Sequence, residues 1–168
     1  MMLNDKTVAA YTAILREELL LATGCTEPIA VAYCAAKLRE VLGGKPEEVL
    51  AEVSGNILKN VKSVVVPNTD GRRGIDAAIA VGIVAGDADA ELQVIANVTE
   101  DDAAAIQGYL DATPIKVTCP ETPCLLDIFL HGKREGHTAA VRVANNHTNI
   151  IYIEKDGDIL LEKPVTAN

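Results

Sequence analysis

Tryptophan is absent from the chain, phenylalanine occurs once, and 15 basic side chains stand against 24 acidic ones. A nucleic-acid surface needs basic stripes and stacking platforms, so this shortage excludes one. The formal charge of −9 likewise argues against binding to anionic membranes. No apolar run approaches the about 20 residues that a bilayer span requires. The longest, Ala77 to Gly86, is closed off by Asp76 and Asp87. The first residues, Met-Met-Leu-Asn-Asp-Lys, show no charged leader followed by an apolar stretch, which predicts a cytoplasmic protein. Its four cysteines, Cys25, Cys34, Cys119 and Cys124, are then expected in the reduced form. Their spacing lacks any zinc pattern, and no metal ligands are predicted.

What is present suits a globular protein. Hydrophobic residues make up 49% and charged residues 23% of the 168, which excludes disorder and predicts a single domain over 1–168. Val8, Tyr11, Leu15 and Leu19 follow helical spacing to a stop at Thr23-Gly24. Thr26-Glu27-Pro28 restarts a helix that runs to about Leu42, apolar on every side from Ile29 to Ala36 and therefore buried. Val49 to Val53 alternates as a strand, and Asn56, Lys59 and Asn60 fall within one possible helical turn. Ile75 to Ala85 predicts a second buried helix, and Thr99-Glu100-Asp101-Asp102 opens a further helix that ends near Asp111. Val64 to Val66 and Leu92 to Val98 are ambiguous in type.

Strands dominate the second half: Ile115 to Thr118, Leu125 to Leu130, Thr138 to Ala144, Asn149 to Glu154 and Ile159 to Leu161. Gly132 to Gly136 is expected as a loop, Asn145-Asn146 as a turn, and Asp156-Gly157 as a tight hairpin. The predicted class is α+β, with N-terminal helices packed on a mainly antiparallel sheet that ends in a β-meander.

Cys25 stands in the gap before a helix N-terminus. Unpaired N–H groups and the positive end of the helix dipole there stabilise a thiolate. The alternative is a buried cysteine serving as a small hydrophobe. Cys34, inside an apolar helix, reads as core. Asn56, Lys59 and Asn60 suit a grip on a carboxylate or an amino group; a helix cap (Ser54 or Asn56) with a solvated lysine is the plainer reading. Asn145-Asn146-His147-Thr148-Asn149 crowds more polar side chains than a turn needs, and His147 exchanges protons near neutral pH. His131 and His137 read as surface residues. Gly71-Arg72-Arg73-Gly74 fits neither the P-loop nor the dinucleotide fingerprint, and the proline-stiffened Cys119 to Cys124 segment does not suit a metal. No Ser-His-Asp set is visible.

Taken in order, Gly24-Cys25-Thr26-Glu27-Pro28-Ile29, Ser54-x-Asn56-x-x-Lys59-Asn60, Val66-Pro67-x-Thr69 and His147-Thr148-Asn149-Ile150 with Ile153-Glu154 form a recognisable series. The chain resembles the N-terminal half of the L-cysteine desulfidase and iron–sulfur L-serine dehydratase α-chain family, over nearly its whole length. The resemblance implies a lyase of amino-acid catabolism that uses a [4Fe–4S] cluster and no pyridoxal phosphate. Its cluster iron would act as a Lewis acid on the leaving group during β-elimination from L-cysteine or L-serine to pyruvate and ammonia. It also implies that Cys25 accepts the Cα proton. Thr26, Glu27, Asn56, Lys59, Asn60, His147, Thr148 and Asn149 become candidates to hold the substrate. The family's cluster cysteines lie in a C-terminal half that these residues do not include. No cluster is therefore expected on this chain, which would be inactive alone and completed by that half in cis or in trans. Association into a homo-oligomer through an exposed interface is a further expectation. The rival reading is a non-enzymatic amino-acid-binding or subunit-interaction module.

Overall fold

Two glycine-containing contacts set the helical layer. The computed structural model describes residues 27–61, 74–94 and 100–165. Helix α1 (Glu27–Leu42) is buried on nearly every side from Pro28 to Ala36, as an all-round apolar run requires. Beyond it, strand β1 (Glu48–Val53) leads into the short α2 (Gly55–Val61), followed by the apolar α3 (Gly74–Ala85). At the α1–α3 contact, Gly82 and Gly86 of the α3 segment lie where a Cβ would meet Ala32 backbone and the Ala36 side chain. Arg39 of α1 then closes the C-terminus of α3 by donating to the carbonyls of Ile83 (2.9 Å) and Gly86 (3.1 Å). A guanidinium there satisfies carbonyls that a helix end leaves open. A 3-10 turn (Ala88–Gln93) and α4 (Glu100–Ala112) complete the helices.

The sheet has six strands in the order β2-β1-β3-β4-β5-β6, with β2 (Ile115–Thr118), β3 (Asp127–Arg134), β4 (His137–Ala144), β5 (Ile150–Lys155) and β6 (Asp158–Glu162). Every neighbouring pair is antiparallel except β1–β2, whose parallel pairing spans the crossover through α2, α3 and α4. The fold is α+β, with its helices early and its meander late. Val49, Ala51, Val53, Ile128, Leu130, Val141 and Val143 face the helices and make the core. Among the described residues, no helix is long and apolar enough to cross a membrane.

Two local readings change. Gly132 to Arg134 is strand rather than loop, and the turn is confined to Glu135-Gly136, both at positive φ (50° and 81°). Gly132 is glycine for packing: a Cβ would lie 3.1 Å from Pro46 and 3.2 Å from Leu38. The strand also begins at Asp127, because Leu125 and Leu126 belong to the preceding loop. The Asp156-Gly157 turn forms as expected, with φ of 51° and 88°. The segments around Val8 to Leu19, Val64 to Val66 and Gly71 to Arg73 lie outside the described residues.

The strand directions give the sheet two unlike ends. At the distal end, the two tight hairpin tips are joined by Asp156, which accepts from Thr138 N–H (2.9 Å) and pairs with His137 Nδ1 (2.9 Å). The Thr138 N–H, and then His137, hold the Asp156 carboxyl below its usual range. At the proximal end, β1 and β2 finish, β3 begins, and the longer 119–126 and 145–149 loops lie.

Candidate functional site

The proximal end gathers most of the candidate residues. Cys34 Sγ of α1 reaches the carbonyls of Ile128 (3.8 Å) and Val141 (3.4 Å), while Leu38, one turn later, meets Gly132. Helix α1 therefore runs in the same sense as β3, and its first residue, the half-buried Glu27, lies toward the proximal end. Cys25 and Thr26 lie outside the described residues.

Ser54 fixes the entry to α2. Its hydroxyl accepts from Ile57 N–H (3.4 Å) and donates to Leu125 O (2.6 Å), and its own N–H donates to Asp127 O (2.9 Å). Ser54 is thus the N-cap, one of the two caps the sequence offered. Asn60 Nδ2 donates to Asn56 Oδ1 across one turn (3.5 Å), while Lys59 is exposed. The two amides share a face as helical spacing predicts, while the Ser54 cap and the exposed Lys59 are what the plainer reading of this segment expects.

The turn after β4 is built by its asparagines. Asn145 takes φ 71°, Thr148 N–H donates to Asn146 Oδ1 (3.3 Å), and Asn149 Nδ2 donates to Ala144 O (2.9 Å). Asn149 thereby closes the turn. His147 Nε2 is buried and has no hydrogen-bond partner among the described residues, although the residue as a whole is only half-buried.

The 119–126 loop links these two segments, and sequence reasoning passed over it. Asn145 N–H donates to Leu126 O (3.0 Å) and Asn145 Nδ2 to Cys124 Sγ (3.5 Å). On its other side the loop borders Ser54, Gly55 and Asn56 across an open cleft of about 650 Å³. Cys119 is exposed in that cleft, whereas Cys124 is buried. The available signal was the Cys-Pro and Pro-Cys framing of the segment, which marks a stiff loop with a fixed position.

Behind the loop, Asp127 is only 5% exposed. Arg142 grips it with two bonds, Nε to Oδ1 (2.8 Å) and Nη2 to Oδ2 (2.5 Å), and Thr122 Oγ1 donates to Oδ2 (2.6 Å). That bonding raises the Arg142 pKa beyond its already high value. The guanidinium also sits 5.6 Å above the Phe129 ring, which stacks on His131 at 4.4 Å. His131 is half-buried and bonded to Glu52 (2.7 Å), so it is more than the surface residue its sequence context suggests; His137 is exposed.

An iron–sulfur cluster needs several thiolates converging on one point. Cys34 is sealed in the core, where burial pushes its thiol well above the usual range and its Sγ bonds the carbonyls of Ile128 and Val141. Among the described residues, no group of three His, Cys, Asp or Glu side chains is placed to hold a metal ion. The resemblance assigns the cluster's cysteines to chain outside these 168 residues.

Comparison with known proteins finds long relatives. This chain is similar to UPF0597 proteins. It is 46% identical to one from Treponema denticola over 164 residues, 98% of this chain and 38% of the relative. The UPF0597 protein of Desulfitobacterium hafniense is 50% identical over 157 residues, 94% of this chain and 36% of the relative. That of Fusobacterium nucleatum is 42% identical over 150 residues, 89% and 35% respectively. The chain thus spans little more than a third of the length of these relatives. No protein-family model and no solved structure matches it.

Proposed function

We propose that the chain is the proton-abstracting portion of a pyridoxal-phosphate-independent lyase of the L-cysteine desulfidase and L-serine dehydratase type. The observation that carries this reading is the direction of α1. It brings Glu27, the fourth residue of the Gly-Cys-Thr-Glu-Pro motif, toward the end of the sheet that carries Asn56 and the His147 turn. Motifs far apart in sequence are thereby drawn to one region, as a shared substrate would require.

In this reading the Cys25 thiolate takes the Cα proton of L-cysteine or L-serine. The Cα–H electron pair becomes the Cα–Cβ double bond as the Cβ–S or Cβ–O bond breaks and sulfide or hydroxide departs. The aminoacrylate tautomerises to an imine, and water converts that to pyruvate and ammonia. Asn56 and Asn60 offer amides to the substrate's charged ends, with Lys59 opposite its carboxylate. Thr26, Glu27, His147 and Thr148 are the remaining candidate contacts. Expelling the leaving group falls to chain outside these 168 residues, so the isolated chain is expected to be inactive.

The test is anaerobic pyruvate release from L-cysteine and L-serine by the native protein containing this stretch, isolated from its source, and by its Cys25→Ser variant. Turnover that falls about a hundredfold or more in the variant supports the assignment. Turnover indifferent to the substitution removes Cys25 from the mechanism. Binding of either amino acid without turnover favours the binding-module reading instead.

A further inference from the structure

The 119–126 loop combines rigidity with an outward apolar side chain. Ser54 Oγ, Asn145 N–H and Asn145 Nδ2 bond it from two neighbouring segments, and Thr122 Oγ1 ties it to Asp127. Within the loop, Cys124 N–H donates to Thr122 Oγ1 (3.3 Å). Despite these restraints, Leu125 is 64% exposed. A flexible loop could fold such a side chain inward; this one is held out. Holding an apolar group in place before contact lowers the ordering cost of association, which is the mark of a pre-organised interface.

The edge strand supplies a second observation. Strand β6 returns to the same end, where Lys163 N–H donates to Ile151 O (2.7 Å). Ile159 and Leu160 along β6 and Val165 just past it are 56%, 61% and 41% exposed. With Leu125, they are the exposed large hydrophobics among the described residues. Ile159 pairs with Glu154 beside the distal Asp156-Gly157 turn, so of these four Leu125 and Val165 are the ones that lie at the proximal end.

We propose that this proximal end is the docking surface for the polypeptide that the longer relatives carry outside the shared stretch, with Leu125 as its apolar anchor. The relatives supply the length: more than half of each lies outside the match. A second copy of this chain is a poor occupant. Antiparallel pairing of two β6 strands about Leu160 would set Asp158 opposite Glu162, and each copy brings a formal charge of −9. The surface needs no lyase chemistry in its occupant, so the proposal stands or falls apart from the function proposed above.

Cys119 is a native reporter, because it is exposed in the cleft beside Leu125 while Cys34 is buried. The experiment compares iodoacetamide labelling, read by peptide mass spectrometry, in the purified 168-residue chain and in the native protein isolated from its source. Docking predicts Cys119 labelling slowed about tenfold or more in the native protein, since water is excluded around a docked anchor. Cys34 should stay unlabelled in both, which confirms that each is folded. Leu125→Glu, on an exposed side chain, should leave the melting of the isolated chain unchanged and restore Cys119 labelling in the native protein. Equal Cys119 rates in the two samples overturn the proposal. So does protection that sedimentation traces to a homodimer of the 168-residue chain. Pyruvate release, measured separately, reports on the lyase reading alone.

Discussion

Replacing Gly82 by alanine probes the α1–α3 contact, and the structure sets two opposed effects. In an exposed helix interior, alanine is favoured over glycine by about 1 kcal/mol. At Gly82, however, the new methyl would press into the carbonyl oxygen of Ala32 and lie 2.9 Å from its C and Cα. Those atoms are backbone inside a buried helix, so no side chain can swing aside and the two helices must part. Overpacking a tight site costs about 1–3 kcal/mol, and a backbone obstacle places this site at the upper end. The net expectation is a loss of about 2 kcal/mol. At roughly 2–4 °C per kcal/mol for a chain this long, the melting temperature should fall by about 4–8 °C.

Gly108 in α4 supplies the control, because it is exposed and its Cβ would meet nothing within 4 Å. Gly108→Ala should stabilise by about 0.5–1 kcal/mol through the unfolded chain alone. The two variants are to be compared by thermal and urea unfolding, followed by far-ultraviolet circular dichroism. A Gly82→Ala protein that melts at or above the parent would refute the close-contact argument. Equal shifts for the two variants would refute it as well.

Two further outcomes follow from single interactions. Arg142→Ala should cost about 3 kcal/mol in urea unfolding by stranding the buried Asp127 carboxylate, and a paired Asp127→Asn substitution should recover part of that loss. Tyr109 donates to Pro46 O (2.7 Å), and burial pushes its pKa up to about 12 from 10.0. Its contribution is therefore fully present below pH 10 and lost as pH rises through about 12. Tyr109→Phe should flatten that alkaline limb while costing about 1 kcal/mol at neutral pH, with phenolate absorbance at 295 nm as the check.

What the sequence reveals depends on how local the cause is. The all-round apolar runs Ile29 to Ala36 and Ile75 to Ala85 identify buried helices because burial on every side leaves no polar face to find. Asp156-Gly157 marks its own turn. Gly132 misleads because its reason is remote: Pro46 and Leu38, from another part of the chain, crowd the space a Cβ would take, and nothing nearby reports that. The site divides in the same way. Asn56 and Asn60 share a face by helical spacing alone. The bond from Ser54 to Leu125, 71 residues away, and the grip of Arg142 on Asp127 have no local trace. That is why the 119–126 loop, which joins Asn56 to the His147 turn, reads in sequence as a proline-stiffened bystander.

The contrast between the two sheet ends has a practical side. Two-residue turns at Glu135-Gly136 and Asp156-Gly157 lie farthest from the cleft, and the side chains at both tips are exposed. Each tip is also tied beyond its own hairpin, since Glu135 N–H donates to Glu47 Oε1 (2.8 Å) and Asp156 N–H to Thr138 O (2.9 Å), so added chain must leave those two N–H groups in place. An affinity tag, a fluorophore or a surface tether inserted between Glu135 and Gly136 would leave the cleft and β6 accessible, whereas one at Asp156-Gly157 would abut the first residue of β6. The His137–Asp156 contact between the tips favours Glu135-Gly136 as the insertion point, because Asp156 takes part in that contact directly. The molecule thus offers a handle on one side and presents its working surface on the other.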